Sequence, residues 1–334
     1  MNLTKYGIKI CVYKIRPRIK RDENLWTGLD RLTCFMYICV MTIIDAHSHL
    51  WLHQDTMVDG QPIRALPDGR ALFFGEERQM LPPFMIDGRN SAEVFLSNMN
   101  YARVGAAVVV QEIIDGNQDA YLLEVQKAHP DRFLCCALKD VDHDSTDLPA
   151  GFRAIAIPAH RAHRSLTDPA LMEMFKAMEA KGLILSVCLS DDASQIAQMR
   201  EVIQECPTLK VAVGHFGMAT GTHWKEQILL AQAPNVRIEA GGITWLYNAE
   251  FYPFPSAQKA IREAADAVGM DKLMWGSDYP RTICAITYRM SYDFFSKSPL
   301  FTEDEKEAFL GGNARSFYGF GTLPELPYIK NMSE

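Results

Sequence analysis

Ile43-Ile44-Asp45-Ala46-His47-Ser48-His49-Leu50-Trp51 is the stretch on which the reading of the chain turns. Two apolar residues run into an aspartate and then a His-x-His pair. In a strand, alternate side chains share a face, so His47 and His49 point the same way with Asp45 behind them. Two imidazoles about 7 Å apart on one strand face can grip one metal ion or one polarised carbonyl. Two solvated histidines at a strand end have the same spacing, so the pair gains meaning only from what later strands bring to it.

Outward from this stretch the chain alternates. Residues 52–89 hold Leu66-Pro67-Asp68-Gly69 and Leu81-Pro82-Pro83, and a connection this long reads as a lid or binding loop. The pattern predicts a helix over 91–103 and an unbroken apolar strand from Ala106 to Glu112, as expected of a parallel strand covered on both faces. Helix 120–128, strand 132–138 and strand 151–157, stopped by Pro158, come next. Asp168-Pro169 supplies an N-cap and an N1 proline to a helix with Leu171, Met174, Phe175 and Met178 on its buried stripe. Strands at 183–189, 209–215, 236–240 and 272–278 follow, separated by helices at 193–205, 224–232 and 257–267. Helices at 286–295 and after Thr302 close the pattern. Eight strands alternating with helices imply right-handed βα units, and eight such units at this length favour a closed (β/α)8 TIM barrel. Active sites of such barrels lie at the C-terminal strand ends, here His47 and His49, Gln111, His160, Cys188, His215, Gly241-Gly242 and Asp278.

Composition narrows the function. The 334 residues are 48% hydrophobic and 22% charged, as in a soluble globular protein. A net charge of −7 argues against nucleic-acid or anionic-membrane partners and leaves a small-molecule substrate as the expected one. Eight cysteines without a CxxC pair, two of them adjacent at Cys135-Cys136, read as reduced thiols of a cytoplasmic protein. Residues 1–40 stand apart, with eight basic and three acidic residues, a net of +5 that leaves −12 for the rest. The expectation is a non-domain extension at 1–40 preceding a functional start at Met41, then a barrel over 41–320 and a tail over 321–334. The apolar run 32–44 has no small-residue cleavage site and is too short to span a bilayer.

Two further motifs share the mouth of the expected barrel. Leu273-Met274-Trp275-Gly276-Ser277-Asp278-Tyr279-Pro280 puts Asp278 at the end of the eighth strand, facing the histidines of the first. Val211-Ala212-Val213-Gly214-His215-Phe216-Gly217 adds a histidine at the end of the sixth. With these three motifs in this order, the chain resembles the amidohydrolase-related branch of the amidohydrolase superfamily, TIM-barrel hydrolases, lactonases and decarboxylases. The resemblance runs from about Thr42 to Phe320 and includes a closing segment, Gly312-Asn313-Ala314-Arg315-Ser316-Phe317-Tyr318.

The resemblance implies a metal site built from His47, His49 and Asp278, with a fifth-strand histidine as the remaining ligand. Cys188 stands at that fifth-strand place. A His/His/Cys/Asp set for zinc or manganese is chemically sound, and so is a buried apolar cysteine. Departure at this place resembles the lactonase sub-branch, some members of which work without metal, so the metal-bound and metal-free readings both stay open. In either, Asp278 is the expected general base and His215 orients or polarises the substrate. Trp51, Gln111, His160, Trp245, Tyr247 and Arg281 are the expected substrate contacts, Arg281 by pairing a carboxylate. Some relatives place an arginine in the fourth strand to hold a carboxylate. Ile155-Ala156-Ile157-Pro158 lacks one, which speaks against an acidic pyrone. The expected activity is opening of a lactone or similar cyclic ester by an activated water. The alternatives are a metal-dependent decarboxylase or hydratase, or a barrel without catalysis that binds a ligand. Aromatic loops beyond the strands would suit a homodimer.

Overall fold

Eight short parallel strands follow one another in chain order, and backbone hydrogen bonds join the last to the first. In the computed structural model, which describes residues 8–10, 38–330 and 332, they are β1 (Ile44–Ser48), β2 (Ala106–Val109), β3 (Phe133–Leu138), β4 (Ala154–Ile157), β5 (Ile184–Val187), β6 (Lys210–Val213), β7 (Val236–Glu239) and β8 (Leu273–Met274). The seam closes where Ala46 N donates to Trp275 O at 2.9 Å, Asp278 N to His47 O at 2.9 Å and His49 N to Tyr279 O at 2.7 Å. The expected (β/α)8 barrel therefore forms. Local signals set the helices between the strands: Asp168 accepts from Ala170 N at the start of helix Pro169–Ala180, and Thr302 and Glu305 form a reciprocal capping box.

Small inward side chains let the barrel close tightly. Ile44, Ala46, Ala106, Val108, Cys136, Ala156 and Ala212 fill the interior, and Phe317 and Tyr318 of the last helix plug its floor. Leu323, in the segment expected as a tail, packs on this core.

The pairing of β1 with β2 shifts register between Asp45 and Ser48. The irregularity moves the alternation by one residue. Ile44 and Ala46 face the interior below it; His47 and His49 face the mouth above it. Asp45 is turned into the layer outside the barrel, where it accepts from Ser277 N at 2.8 Å, Ser277 Oγ at 2.5 Å and Tyr288 OH at 2.8 Å. Strict alternation had placed Asp45 behind the histidines; the register shift corrects that reading.

The connection after β1 is not a plain loop. It folds as a four-stranded antiparallel meander, Asp55–Val58, Gln61–Ala65, Arg70–Phe73 and Glu76–Gln79. Positive φ angles at Asp59 and Gly60, Asp68 and Gly69, and Phe74 and Gly75 make the three turns. Val58 and Ile63 anchor the meander on Ile114 beyond β2.

The chain divides into two units, residues 1–42 and 43–334. In the first, Ile8–Ile10 pairs antiparallel with Ile38–Val40. The rest of the basic segment expected at 1–40 lies outside the described residues. Among the described residues no helix is long and apolar enough to cross a membrane.

Candidate active site

The strand ends converge at the C-terminal mouth, and two of them do so on strained backbone. His215 has φ 51° and Asp278 φ 58°, left-handed values that cost a non-glycine residue about 1–3 kcal/mol. The closed seam holds Asp278 in that state, since its own N–H is bonded across to β1.

His47 Nε2 lies 3.1 Å from His49 Nε2, His49 Nε2 lies 2.9 Å from Asp278 Oδ1, and His47 Nε2 lies 3.6 Å from the same oxygen. All three side chains are buried. Behind His47 stands Glu239, the last residue of β7, with Oε1 2.7 Å from His47 Nδ1. Glu239 also accepts from His215 N at 3.1 Å and Gly241 N at 2.6 Å. Burial pushes the Glu239 carboxyl up to about 7, while burial and then the charge of His49 press His47 down to about 3. Two backbone donors on Glu239 favour its carboxylate form, which puts the shared proton on His47 Nδ1 and leaves Nε2 a bare lone pair. The pair fits because the chain leaves room for it. A Cβ on Gly276 would lie 2.7 Å from His47 Cβ, and one on Gly241 would lie 2.7 Å from both Glu239 Oε2 and His47 Cγ.

His49 has its own carboxylate. Its Nδ1 faces Asp115 Oδ2 at 3.5 Å, and both atoms are buried without a hydrogen-bond partner. The other Asp115 oxygen accepts from Arg281 Nη2 at 2.6 Å and Gln54 Nε2 at 3.1 Å. A proton moved to His49 Nδ1 would pair with Asp115 and free Nε2, as His47 already is. Ligands about 2.0–2.2 Å from one ion stand about 3.0–3.5 Å apart, so His47, His49 and Asp278 fit one divalent ion with a carboxylate behind each imidazole.

Cys188 is left out of this cluster of donors lying within 4.8 Å of one another. Burial, then the charges of Glu239, Glu112 and Asp278, push its thiol well above its usual range, as for a buried apolar cysteine. The donors that converge are His47, His49 and Asp278, and the conditional fourth ligand Cys188 is not among them.

Asp278 uses its two oxygens differently. Oδ1 serves the histidines; Oδ2 accepts from Trp245 Nε1 at 2.7 Å. Burial alone would raise its carboxyl, but the hydrogen bond and charge of His49, with His215 and Arg281, outweigh it and hold the group well below the carboxylate range. Arg281 Nη1 stands 3.9 Å from Oδ1. His215 Nδ1 lies 3.0 Å from Gly241 O, which can only accept. The proton is therefore on Nδ1, and Nε2 is an acceptor. Burial, then His47, holds His215 below its ordinary value, so it is neutral.

The remaining expected contacts sit further out. Gln111 is buried and tied to Asp119, Cys136 O and Gln118 N. The Trp51 indole donates to Gly88 O and lies under the Arg281 guanidinium, 5.6 Å from its ring centre. His160 and Arg161 both face Glu112, at 3.4 and 3.0 Å. Tyr247 OH donates to Ala219 O. Sequence reasoning missed Glu239 and Asp115. An acid closing the strand Val236-Arg237-Ile238-Glu239 was the one signal available for the former.

The chain has relatives across this fold. A family profile described as amidohydrolase matches residues 44–320. An L-fucono-1,5-lactonase from Burkholderia ambifaria is 26% identical over 260 residues, 71% of this chain and 80% of that protein. An uncharacterized protein of Sinorhizobium fredii is 27% identical over 160 residues, 45% of this chain; the match spans only 52% of that relative. Three solved structures share the fold at low identity. A probable 2-pyrone-4,6-dicarboxylic acid hydrolase from Acinetobacter baumannii, with citric acid bound, superposes with a TM-score of 0.65 at 20% identity, covering 84% of this chain and 100% of that one. An amidohydrolase from Burkholderia multivorans with bound zinc gives 0.62 at 17%, covering 85% and 100%. A 5-carboxyvanillate decarboxylase from Sphingomonas paucimobilis gives 0.57 at 17%, covering 84% and 99%.

Proposed function

Since the chain belongs to the amidohydrolase family, we propose that it is a hydrolase opening a lactone or similar cyclic ester at the barrel mouth. The observation that carries this reading is the convergence of His47 Nε2, His49 Nε2 and Asp278 Oδ1 within 3.6 Å, each imidazole backed by a carboxylate.

His47, His49 and Asp278 would hold the ion. A divalent ion there would polarise the ester carbonyl and acidify a water. Asp278 accepts a proton from the attacking water as the water oxygen bonds to the carbonyl carbon. When the ring C–O bond breaks, Asp278 returns that proton to the leaving alkoxide, and a hydroxy acid departs. Arg281 Nη1, the guanidinium nitrogen nearest Asp278, faces the charge that grows on the carbonyl oxygen. His215 Nε2 accepts from a substrate hydroxyl or the water.

The cations of the mouth support a neutral, hydroxylated ring. Arg281 Nη2 is paired with Asp115 and Arg161 Nε with Glu112, so the charge of each guanidinium is already partly met by a carboxylate, and Glu112 offers acceptors for hydroxyls. Likeness to the L-fucono-1,5-lactonase agrees with a sugar-acid lactone. A metal-dependent decarboxylase remains the second reading, because the three-donor set suits a bound ion; the committed arginines count against its carboxylate substrate.

The test pairs elemental analysis with a panel of aldono-1,5-lactones and aromatic carboxylates, before and after chelation. Lactone opening is expected, with Asp278→Asn lowering it by about 10³-fold or more while circular dichroism stays unchanged. Turnover confined to an aromatic carboxylate, or lactonase activity surviving in Asp278→Asn, overturns the reading.

A further inference from the structure

Trp245 is among the expected substrate contacts, but its position gives it another task. It lies on a short helix, Ile243–Leu246, directly after β7, and its Nε1–H donates to Asp278 Oδ2 at 2.7 Å. Asp278 Oδ1 meanwhile faces His49 at 2.9 Å. The carboxylate is thus fixed at both oxygens, by imidazole on one side and indole on the other. The edge of the same indole meets the His215 ring, with centroids 5.8 Å apart.

The backbone beneath Trp245 is shaped for this contact. Gly242 has φ +70°, and a Cβ there would lie 1.9 Å from Trp245 Nε1 and 2.5 Å from Cε2. The indole N–H occupies the volume that any other residue at 242 would fill. Trp245 is only partly buried, whereas the Asp278 carboxylate that it bonds is buried.

We infer that Trp245 is a positioning residue for the proposed base: its indole N–H fixes the rotation of the Asp278 carboxylate, with Oδ1 toward the histidines and the second lone pair of Oδ2 toward the cleft. The inference rests on the reading of Asp278 as the base. A freely rotating carboxylate at this place would offer either oxygen to His49 and lose the alignment that proton transfer needs.

The bond itself is read by NMR on protein labelled with 15N at the indole nitrogens of its five tryptophans. Trp245→Phe identifies the Trp245 resonance by its disappearance. A downfield proton, protected from solvent exchange and displaced in Asp278→Asn, is expected. A resonance at the solvent-exposed position that ignores Asp278→Asn overturns the inference whether or not a substrate is known.

Its role is read by kinetics on an aldono-1,5-lactone that the wild type opens. Trp245→Phe keeps the ring and loses the N–H, so kcat should fall about 10- to 100-fold with KM within about threefold, the range seen when partners of an active-site ligand are removed. Gly242→Ala, which displaces the indole, should do the same. A stacking platform behaves differently: Trp245→Phe would match the wild type and Trp245→Ala would raise KM, and that outcome overturns the inference. If Asp278→Asn is inactive while Trp245→Phe is normal, this inference alone falls. If Asp278→Asn turns over normally, the reading of the base falls with it.

Discussion

The two histidines of one strand are backed by carboxylates of opposite character. Glu239, behind His47, is fully buried and bonded at 2.7 Å, with two backbone N–H groups completing its shell. Asp115, behind His49, faces its imidazole at 3.5 Å across two unpaired atoms and leans on Arg281, whose side chain is partly exposed. One half of the site is finished by the fold. The other is finished only when a proton, an ion or a substrate changes what His49 does.

Glu239→Gln tests the finished half and should have the larger effect. Gln keeps the size but can turn an N–H toward His47 Nδ1, so turnover and zinc affinity are each expected to fall about 10- to 100-fold, measured by kinetics and calorimetric titration. Near-normal values would mean that packing alone holds His47. Asp115→Asn tests the unfinished half, and a loss of less than about tenfold is expected because the bond to His49 is not yet made. A loss greater than that of Glu239→Gln would reverse the comparison and make Asp115 the dominant support.

A third effect, on stability rather than on turnover, concerns the layer outside the barrel. Burial pushes the Asp45 carboxyl from 3.8 up to about 7, against the opposing hydrogen bonds of Ser277 and Tyr288. The folded group binds its proton more tightly than the unfolded one, so its contribution to stability is present below about 4 and is lost as pH rises toward 7. The stability difference between the wild type and Asp45→Asn, followed by denaturant titration, should therefore shift against the wild type by on the order of 3 kcal/mol from pH 4 to pH 8. A difference independent of pH would show that Asp45 does not titrate there.

Much of the barrel was legible because its strands and helices are local patterns. Continuous apolar runs such as Ala106–Val110, the Asp168-Pro169 cap and the histidine at the end of β6 each announce themselves within a few residues. The meander was legible too and was passed over: Asp59-Gly60 and Asp68-Gly69 are hairpin turn pairs. Asp115 was not, since it lies six residues past the end of β2 and meets His49 only through the path of that loop.

By itself the sequence determined the alternation of strands and helices, and hence which residues stand at strand ends, because hydrophobic period and turn chemistry act over short range. It also determined that His47, His49, His215 and Asp278 share one mouth, since a closed barrel brings all strand ends together. Only the tertiary structure decided which face each side chain took. The one-residue register shift in β1 sends Asp45 outward and both histidines inward, and the closing of β8 on β1 turns Asp278 between His49 and Trp245. Those choices depend on pairings between residues distant in sequence, from 33 positions for Trp245 with Asp278 to 232 for Ser277 with Asp45, and no local period encodes them.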